Sequence, residues 1–469
     1  MNKPNIVLIV LDTCRKDLFS EAISKGFMPN LKSLLIDFNI FDQNISPSPW
    51  TTPSHVSLFT GLYPSEHKVH EDAKLKQSSV IMENIKNFDG KLLPEILRER
   101  GYSTYAFVAN PNLAPRTGFE RGFDYFFYSD MFSDIFEKLK DFKGQLARKY
   151  PKDYDAIIEL SNNFSFSRIF SFAKQGFNFL KLPYLYINYL TLMTEIKKSK
   201  YPLVKGGKNI INNVINSYVN EPFFIFINFM ETHDPYRIST GELFSGEGTK
   251  MLRYLAGDSI LSCSALNEFK SIYLEELRVV DRYMMEIFKK LKMDNSYDET
   301  VIIITADHGQ SFGEDHFYGH GVFLSDVLVR VPLLVKLPWS EKISQNSGYQ
   351  SLVNVFEFIL SCSSGIVDGK LLTSDVVFSE SFGIQDDYVK ILNENKEIIN
   401  SLLKLDHRRL ALYSLNSMVC FDINDELVTI SKTVHTSNGD EESINPIIDE
   451  AMRFLGQRFI FNYLSRGLR

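Results

Sequence analysis

"NIVLIVLD", Asn5–Asp12, is the stretch that decides how this chain folds. From Ile6 to Leu11 every side chain is aliphatic, and four of the six are β-branched. The polar–apolar alternation of a strand with one wet face is missing. So short and uniform a run reads as a strand buried on both faces, as in a parallel sheet. Similar runs recur at Thr104–Val108, Phe223–Phe229, Val301–Thr305 and Leu333–Leu337. Between them lie stretches with helical spacing. Leu92–Arg100 (LLPEILRER) stops at Gly101, and Ser271–Lys292 is a long amphipathic run directly before the Val301 strand. Strands alternating with helices predict an α/β domain with a mainly parallel sheet.

The chain has 469 residues, 44% of them hydrophobic, enough for a large core and more than one domain. The pattern predicts a catalytic α/β domain over 1–340, interrupted by a helical insertion at about 130–215. A smaller α+β domain follows over 341–469, because Leu410–Ser431 reads as antiparallel strands with turns. The insertion mixes Phe and Tyr with Lys174 and Lys181; a helical cap with its own small core is preferred there to a membrane-surface contact. A formal charge of −7 is small for this length and argues against a general nucleic-acid binder. Cys14, Cys263, Cys362 and Cys420 are dispersed, which suggests neither a disulfide framework nor a zinc knuckle. The opening apolar run is short and has no small-residue cleavage site. No apolar run approaches the ~18 residues of a spanning helix. The expected location is the cytoplasm.

In parallel sheets, ligands bind beyond the carboxyl ends of strands. Asp12 follows the first strand, Glu231, His233 and Asp234 follow the Phe223 strand, and Asp307 and His308 follow the Val301 strand. Three strand ends thus carry groups able to bind a metal. A fourth segment, "SPSPWTTPSHVSLFTG" (Ser46–Gly61), packs hydroxyls around Pro53. One reading makes Thr52 the cap of a helix starting at Pro53. The other makes Thr51 a nucleophile, which requires that its proton be removed or its pKa be lowered by a metal. Asp12, Asp307 and His308 form a ligand set for such a metal, with Thr51 as the fourth partner. Of the nine histidines, His55, His67, His70, His233, His308, His316 and His320 fall in these segments or next to them. Imidazole in the set favours Mn or Zn, with Mg and Ca as alternatives.

Together these segments resemble the sulfatase-like branch of the alkaline phosphatase superfamily. The resemblance rests on "NIVLIVLDTCRKD", "WTTPSHVSLFTGLYPSEH", "PFFIFINFMETHDPY", "ITADHGQSFGEDHFYGHG" and "VRVPLLVKLP", which stand in the family's order across most of residues 4–338. It implies a three-layer alkaline-phosphatase-like sandwich and a divalent metal at Asp12, Asp307, His308 and Thr51. It also implies Thr51 as nucleophile, His320 and His233 as catalytic groups near the leaving group or a second metal, and His55 as a substrate-binding residue. Sulfatases carry Cys or Ser at the Thr51 position, which is oxidised to formylglycine, and threonine is not a substrate for that oxidation. His55 stands where an arginine is usual, and Thr13 where a second acid is usual. These departures resemble the superfamily's phosphodiesterases and phosphoryl transferases, which use a plain threonine. The implied substrates are small-molecule, glycan or lipid head-group esters. Sulfate-ester hydrolysis without formylglycine and a silent binding protein are the alternatives.

Overall fold

The computed structural model describes residues 3–71, 85–129 except 87, 205–237 except 235, 243–244, 263–343 except 315–317, 347–384, 405–435 except 416 and 425–426, 445–455 and 460–461. The chain divides into two compact units. One comprises Met1–Met131, Lys205–Tyr236 and Phe244–Arg469, the other Phe132–Val204 and Arg237–Leu243. Apart from 205–215, the expected insertion lies outside the described residues, and so does His316.

The first unit is built on a seven-stranded sheet. Its strands are β1 (Asn5–Leu11), β2 (Asn39–Phe41), β3 (Ser103–Val108), β4 (Tyr125–Tyr128), β5 (Phe223–Phe229), β6 (Thr300–Thr305) and β7 (Leu333–Lys336). They lie in the order β2-β7-β6-β1-β5-β3-β4. β1 sits in the middle, parallel to β5 and β6, with Leu8 opposite Phe226 on one side and Ile303 on the other. β1, β5 and β6 are buried at every residue, which is why their sequences are continuous apolar runs. β7 runs antiparallel to β6, with Leu333 opposite Thr305. The chain leaves β6, travels through residues 306–332 and re-enters the sheet from the same end, so no crossover helix is needed.

Successive strand residues point to opposite faces, and helices cover both. On one face Ile6, Leu8, Val10, Phe226 and Ile303 pack against α1 (Thr51–Thr60), α2 (Leu93–Glu99) and α5 (Leu352–Ser363). On the other lie α3 (Gly207–Asn216) and the 31-residue α4 (Cys263–Met293), whose Tyr283 stacks on Phe229. This is the expected three-layer sandwich. A second sheet orders β8 (Val376–Ser381), β9 (Arg408–Ser414), β10 (Ser417–Asn424), β11 (Leu427–His435) and β12 (Ile460–Phe461), antiparallel except for the last pair. Phe378, Leu412 and Phe421 form its core, and Phe454 of α6 (Asn445–Leu455) stacks on Phe378 at 4.0 Å. It supplies the expected C-terminal α+β portion. Among the described residues no helix is long and apolar enough to cross a membrane.

Candidate active site

Four strand ends and one helix start converge. α1 begins at Thr51, not at Pro53, and Trp50 occupies the cap position without a side-chain cap. Neither threonine hydroxyl caps the helix. All ten residues of α1 are buried. Phe59 meets Phe226 of β5 at 5.0 Å and Phe119 at 5.9 Å, which seats the helix on the sheet. Burying one such ring contributes roughly 1.5–3 kcal/mol. Thr51, 2% exposed, is therefore fixed at the N-terminal end of a rigid helix.

Its Oγ1 lies 3.3 Å from His308 Nε2 and accepts from Asn110 Nδ2 at 3.4 Å. Asp12, Asp307 and His308 are wholly buried, and one ligand atom from each lies within 4.8 Å of the others. Each carboxylate has one oxygen engaged and one bare. Asp307 Oδ1 accepts from the Thr13 and His308 backbone N–H groups at 3.1 and 2.9 Å. Asp12 Oδ2 accepts from Asn110 Nδ2 at 2.6 Å and Asn228 Nδ2 at 3.5 Å. Asp12 Oδ1 and Asp307 Oδ2 have no hydrogen-bond partner among the described residues. Their separations from His308 Nε2 are 4.0 and 3.4 Å. His308 Nδ1 donates to Gly309 O at 2.9 Å, which leaves Nε2 as the lone-pair nitrogen. Two bare buried oxygens and an imidazole lone pair fit a divalent cation.

The electrostatics agree. Burial, with each other's charge added for Asp12, raises both carboxyls, Asp307 to about 7. Burial lowers His308 to about 4, so its neutral, ligating form prevails. Thr13, where a second acid was the family expectation, adopts φ +58° and works as a strut. Its Oγ1 donates to Thr232 O at 2.8 Å, while Thr232 Oγ1 donates back to Asp12 O at 2.5 Å. A left-handed threonine is strained, and the two hydrogen bonds that join these strand ends hold it there.

His320 and His233 complete a row of imidazoles. The His320 ring lies 4.6 Å from His308 and 5.1 Å from His233. His320 Nδ1 donates to Gln310 Oε1 at 2.7 Å. Burial holds His320 well below the ordinary histidine value. His233 is opposite in character. Burial disfavours its charge, but Asp234, with Oδ1 2.9 Å from Nδ1, outweighs that and brings it to about 10. His55, the expected substrate-binding residue, packs into the protein beside Thr51. It is wholly buried between Phe119 and Phe226, its Nδ1 donates to Thr51 O at 2.9 Å, and Asp307 Oδ2 lies 3.5 Å away. Arg15, 2% exposed, pairs with the exposed Asp17 and the half-buried Glu314 and donates to Gln310 O, next to the amide that holds His320.

Sequence reasoning missed Asn110, Asn228, Gln310 and Lys205. Asn110 was within reach, since it follows β3 as Asp12 follows β1. Asn228 is the one polar residue in FFIFINF. Nothing local marks Lys205.

Oxygen and imidazole donors gathered at the carboxyl ends of a parallel sheet, beside a hydroxyl at a helix start, define a metal-assisted ester hydrolase. The sulfatase family model matches residues 4–366, and the chain belongs to that family, within the alkaline phosphatase superfamily. A choline-sulfatase of Rhizobium meliloti (strain 1021) is 34% identical over 79 residues, 17% of this chain and 15% of that protein's length. The phosphonate monoester hydrolase of Agrobacterium radiobacter shares the fold with a TM-score of 0.57 at 15% identity, covering 96% of this chain and 95% of that one. A 2-O GAG sulfatase does so with a TM-score of 0.59 at 12% identity, covering 97% and 91%. Enzymes of this family hydrolyse ester bonds with a divalent metal, and the Asp12, Asp307 and His308 set is suited to hold one.

Proposed function

We propose that this protein cleaves a phosphate or phosphonate ester, preferentially a diester, through a covalent intermediate on Thr51. The observation that carries this reading is the Thr51 hydroxyl, free of any capping bond and 3.3 Å from His308 Nε2 beside two bare carboxylate oxygens. A threonine cannot become formylglycine, so the hydroxyl itself must attack. A divalent cation held by Asp12, Asp307 and His308 would supply the positive charge that favours the Thr51 alkoxide and offsets charge on the transferred oxyanion.

The remaining work falls to the chain. Asn110 Nδ2 donates to the Thr51 oxygen, and the dipole of α1 favours negative charge at its first turn. His55 positions Thr51 through the Thr51 carbonyl rather than touching substrate. Thr51 Oγ1, its proton released to solvent as the alkoxide forms, attacks phosphorus in line as the bond to the leaving oxygen breaks. His233, charged through Asp234, gives its proton to that oxygen. His320, held neutral with its Nδ1 hydrogen given to Gln310, presents an Nε2 lone pair that accepts a hydrogen bond from the attacking water. Water, giving a proton back to His233, then attacks phosphorus, the bond to Thr51 breaks, and the released Thr51 oxygen takes a proton from solvent to re-form the hydroxyl. An alcohol in place of water gives transfer instead of hydrolysis. Small-molecule, glycan or lipid head-group esters remain the substrate classes. The dispersed cysteines favour a cytoplasmic location.

The test is turnover of an aryl phosphodiester, an aryl phosphonate and an aryl sulfate with Mn, Zn, Mg or Ca. Diester turnover that disappears in Thr51→Ala and partly survives in Thr51→Ser is expected. Sulfate turnover alone would overturn the phosphoryl reading and favour sulfuric ester hydrolysis without formylglycine.

A further inference from the structure

The turn Glu231–Asp234, which carries His233, is held by side chains. Its carbonyls are taken in succession. Glu231 O accepts from Lys205 Nζ at 2.8 Å, Thr232 O from Thr13 Oγ1 at 2.8 Å and Tyr236 OH at 2.6 Å, and His233 O from Lys205 Nζ again. One ammonium group therefore bridges two carbonyls on either side of Thr232. Lys205 is 1% exposed, pairs with Glu276 at 3.6 Å and lies 4.9 Å from the Tyr236 ring centroid. Glu231 Oε1 accepts from Gly207 N at 3.0 Å, whereas Glu231 Oε2 and both Glu276 oxygens have no hydrogen-bond partner among the described residues.

A lysine buried with two carboxylates is a poor way to gain stability. Each ion loses its hydration, and apolar side chains of the same volume often do as well or better. What the ammonium offers is direction, because it has several donors on one atom and reaches two acceptors at once. Both acceptors belong to the turn that carries His233.

We propose that Lys205 is a positioning residue of the reaction, bridging Glu231 O and His233 O so that the His233 imidazole is held at the leaving-group oxygen. This rests on the reading of His233 as the leaving-group acid. Burial brings Glu276 to about 7 and Glu231 to about 7, so removing Lys205 alone would strand carboxyls and cost folding as well as function. The informative pair is therefore Glu276→Gln, which keeps both carbonyl bonds, and Lys205→Met/Glu276→Gln, which removes the ion pair as a unit.

Both variants, wild type and His233→Ala are compared on esters of one class, the one wild type turns over, with leaving groups of rising pKa. Hydrogen exchange of residues 231–234 is measured on the same proteins without metal. Glu276→Gln is expected to follow wild type. The double variant is expected to turn over the most activated ester within a few-fold of wild type and to lose about 100-fold in kcat on the poorest leaving group, as His233→Ala does, with KM unchanged. Its turn should also exchange faster. An equal loss across the series, or an unchanged slope with unchanged exchange, would overturn the role of Lys205. A flat series for His233→Ala would overturn the acid assignment and this proposal with it, while leaving the Thr51 experiment intact.

Discussion

Two side chains show how finely the cation set is balanced. Asp307 sits at about 7 because burial outweighs the Thr13 and His308 N–H groups that hold its Oδ1. Its unfolded value is near 3.8, so between those values the folded, metal-free protein binds the extra proton. Folding is thus unaffected by this group at low pH and loses stability as pH rises toward 7. Metal-free protein should melt at a lower temperature at pH 8 than at pH 5, and Asp307→Asn should flatten that slope. A divalent cation should raise the melting temperature more at pH 8 than at pH 5. Identical slopes for wild type and Asp307→Asn would count against the bare-oxygen reading. Asn110 tests the layer behind. It donates to Asp12 Oδ2 at 2.6 Å, and such supports are worth roughly 10–100-fold in metal affinity. Asn110→Ala should weaken Mn or Zn binding by that factor in competition with a chelating dye. The places of Asp12, Asp307 and His308 were legible because each follows an apolar run, and that of Thr51 because hydroxyls cluster around Pro53. That of Lys205 was not, because no strand end or motif marks it and its partners lie in the turn Glu231–His233, 26 residues and more along the chain.

Elements carry these residues, and α1 is the most demanding of them. It ends at Gly61, φ +71°, whose N–H bonds Ser57 O at 2.9 Å. A Cβ there would lie 2.5 Å from Phe356 Cδ1 on α5. The left-handed conformation and the facing ring both require glycine. Gly61→Ala should cost about 2–4 kcal/mol by urea unfolding, through strain and overpacking. A loss below about 0.5 kcal/mol would mean that α5 yields freely. Strand existence was readable from burial on both faces, as in β1, β5 and β6. Strand direction was not. A run such as Leu333–Lys336 looks the same whichever way it enters, and only the return of the chain through residues 306–332 makes β7 antiparallel. The alternative reading, a helix starting at Pro53, falls two residues late because Pro suits the first turn at more than one position.

At the scale of the molecule, the second sheet is tied to the loop that precedes Thr51. Glu380 of β8 is wholly buried. Its N–H donates to Pro47 O at 2.8 Å, its Oε2 accepts from Ser65 N at 2.9 Å, and its Oε1 takes Arg408 of β9. Ser46, one residue before Pro47, donates from Oγ to Asp307 O. A continuous set of bonds therefore runs from the C-terminal sheet through Ser46–Pro47 to the cation set. Arg408 is only 20% exposed, so removing it leaves a carboxylate without its counter-charge inside the protein. Arg408→Met should cost about 3 kcal/mol. Arg408→Met/Glu380→Gln should recover most of that, because the neutral amide keeps an oxygen for Ser65 N and needs no cation. If the two sheets were independent, the single variant would broaden or split the unfolding transition and leave metal binding at Asp12, Asp307 and His308 untouched. A single cooperative transition shifted downward, with weaker metal binding restored in the double variant, is the result expected of a C-terminal sheet that serves as a wall of the catalytic unit.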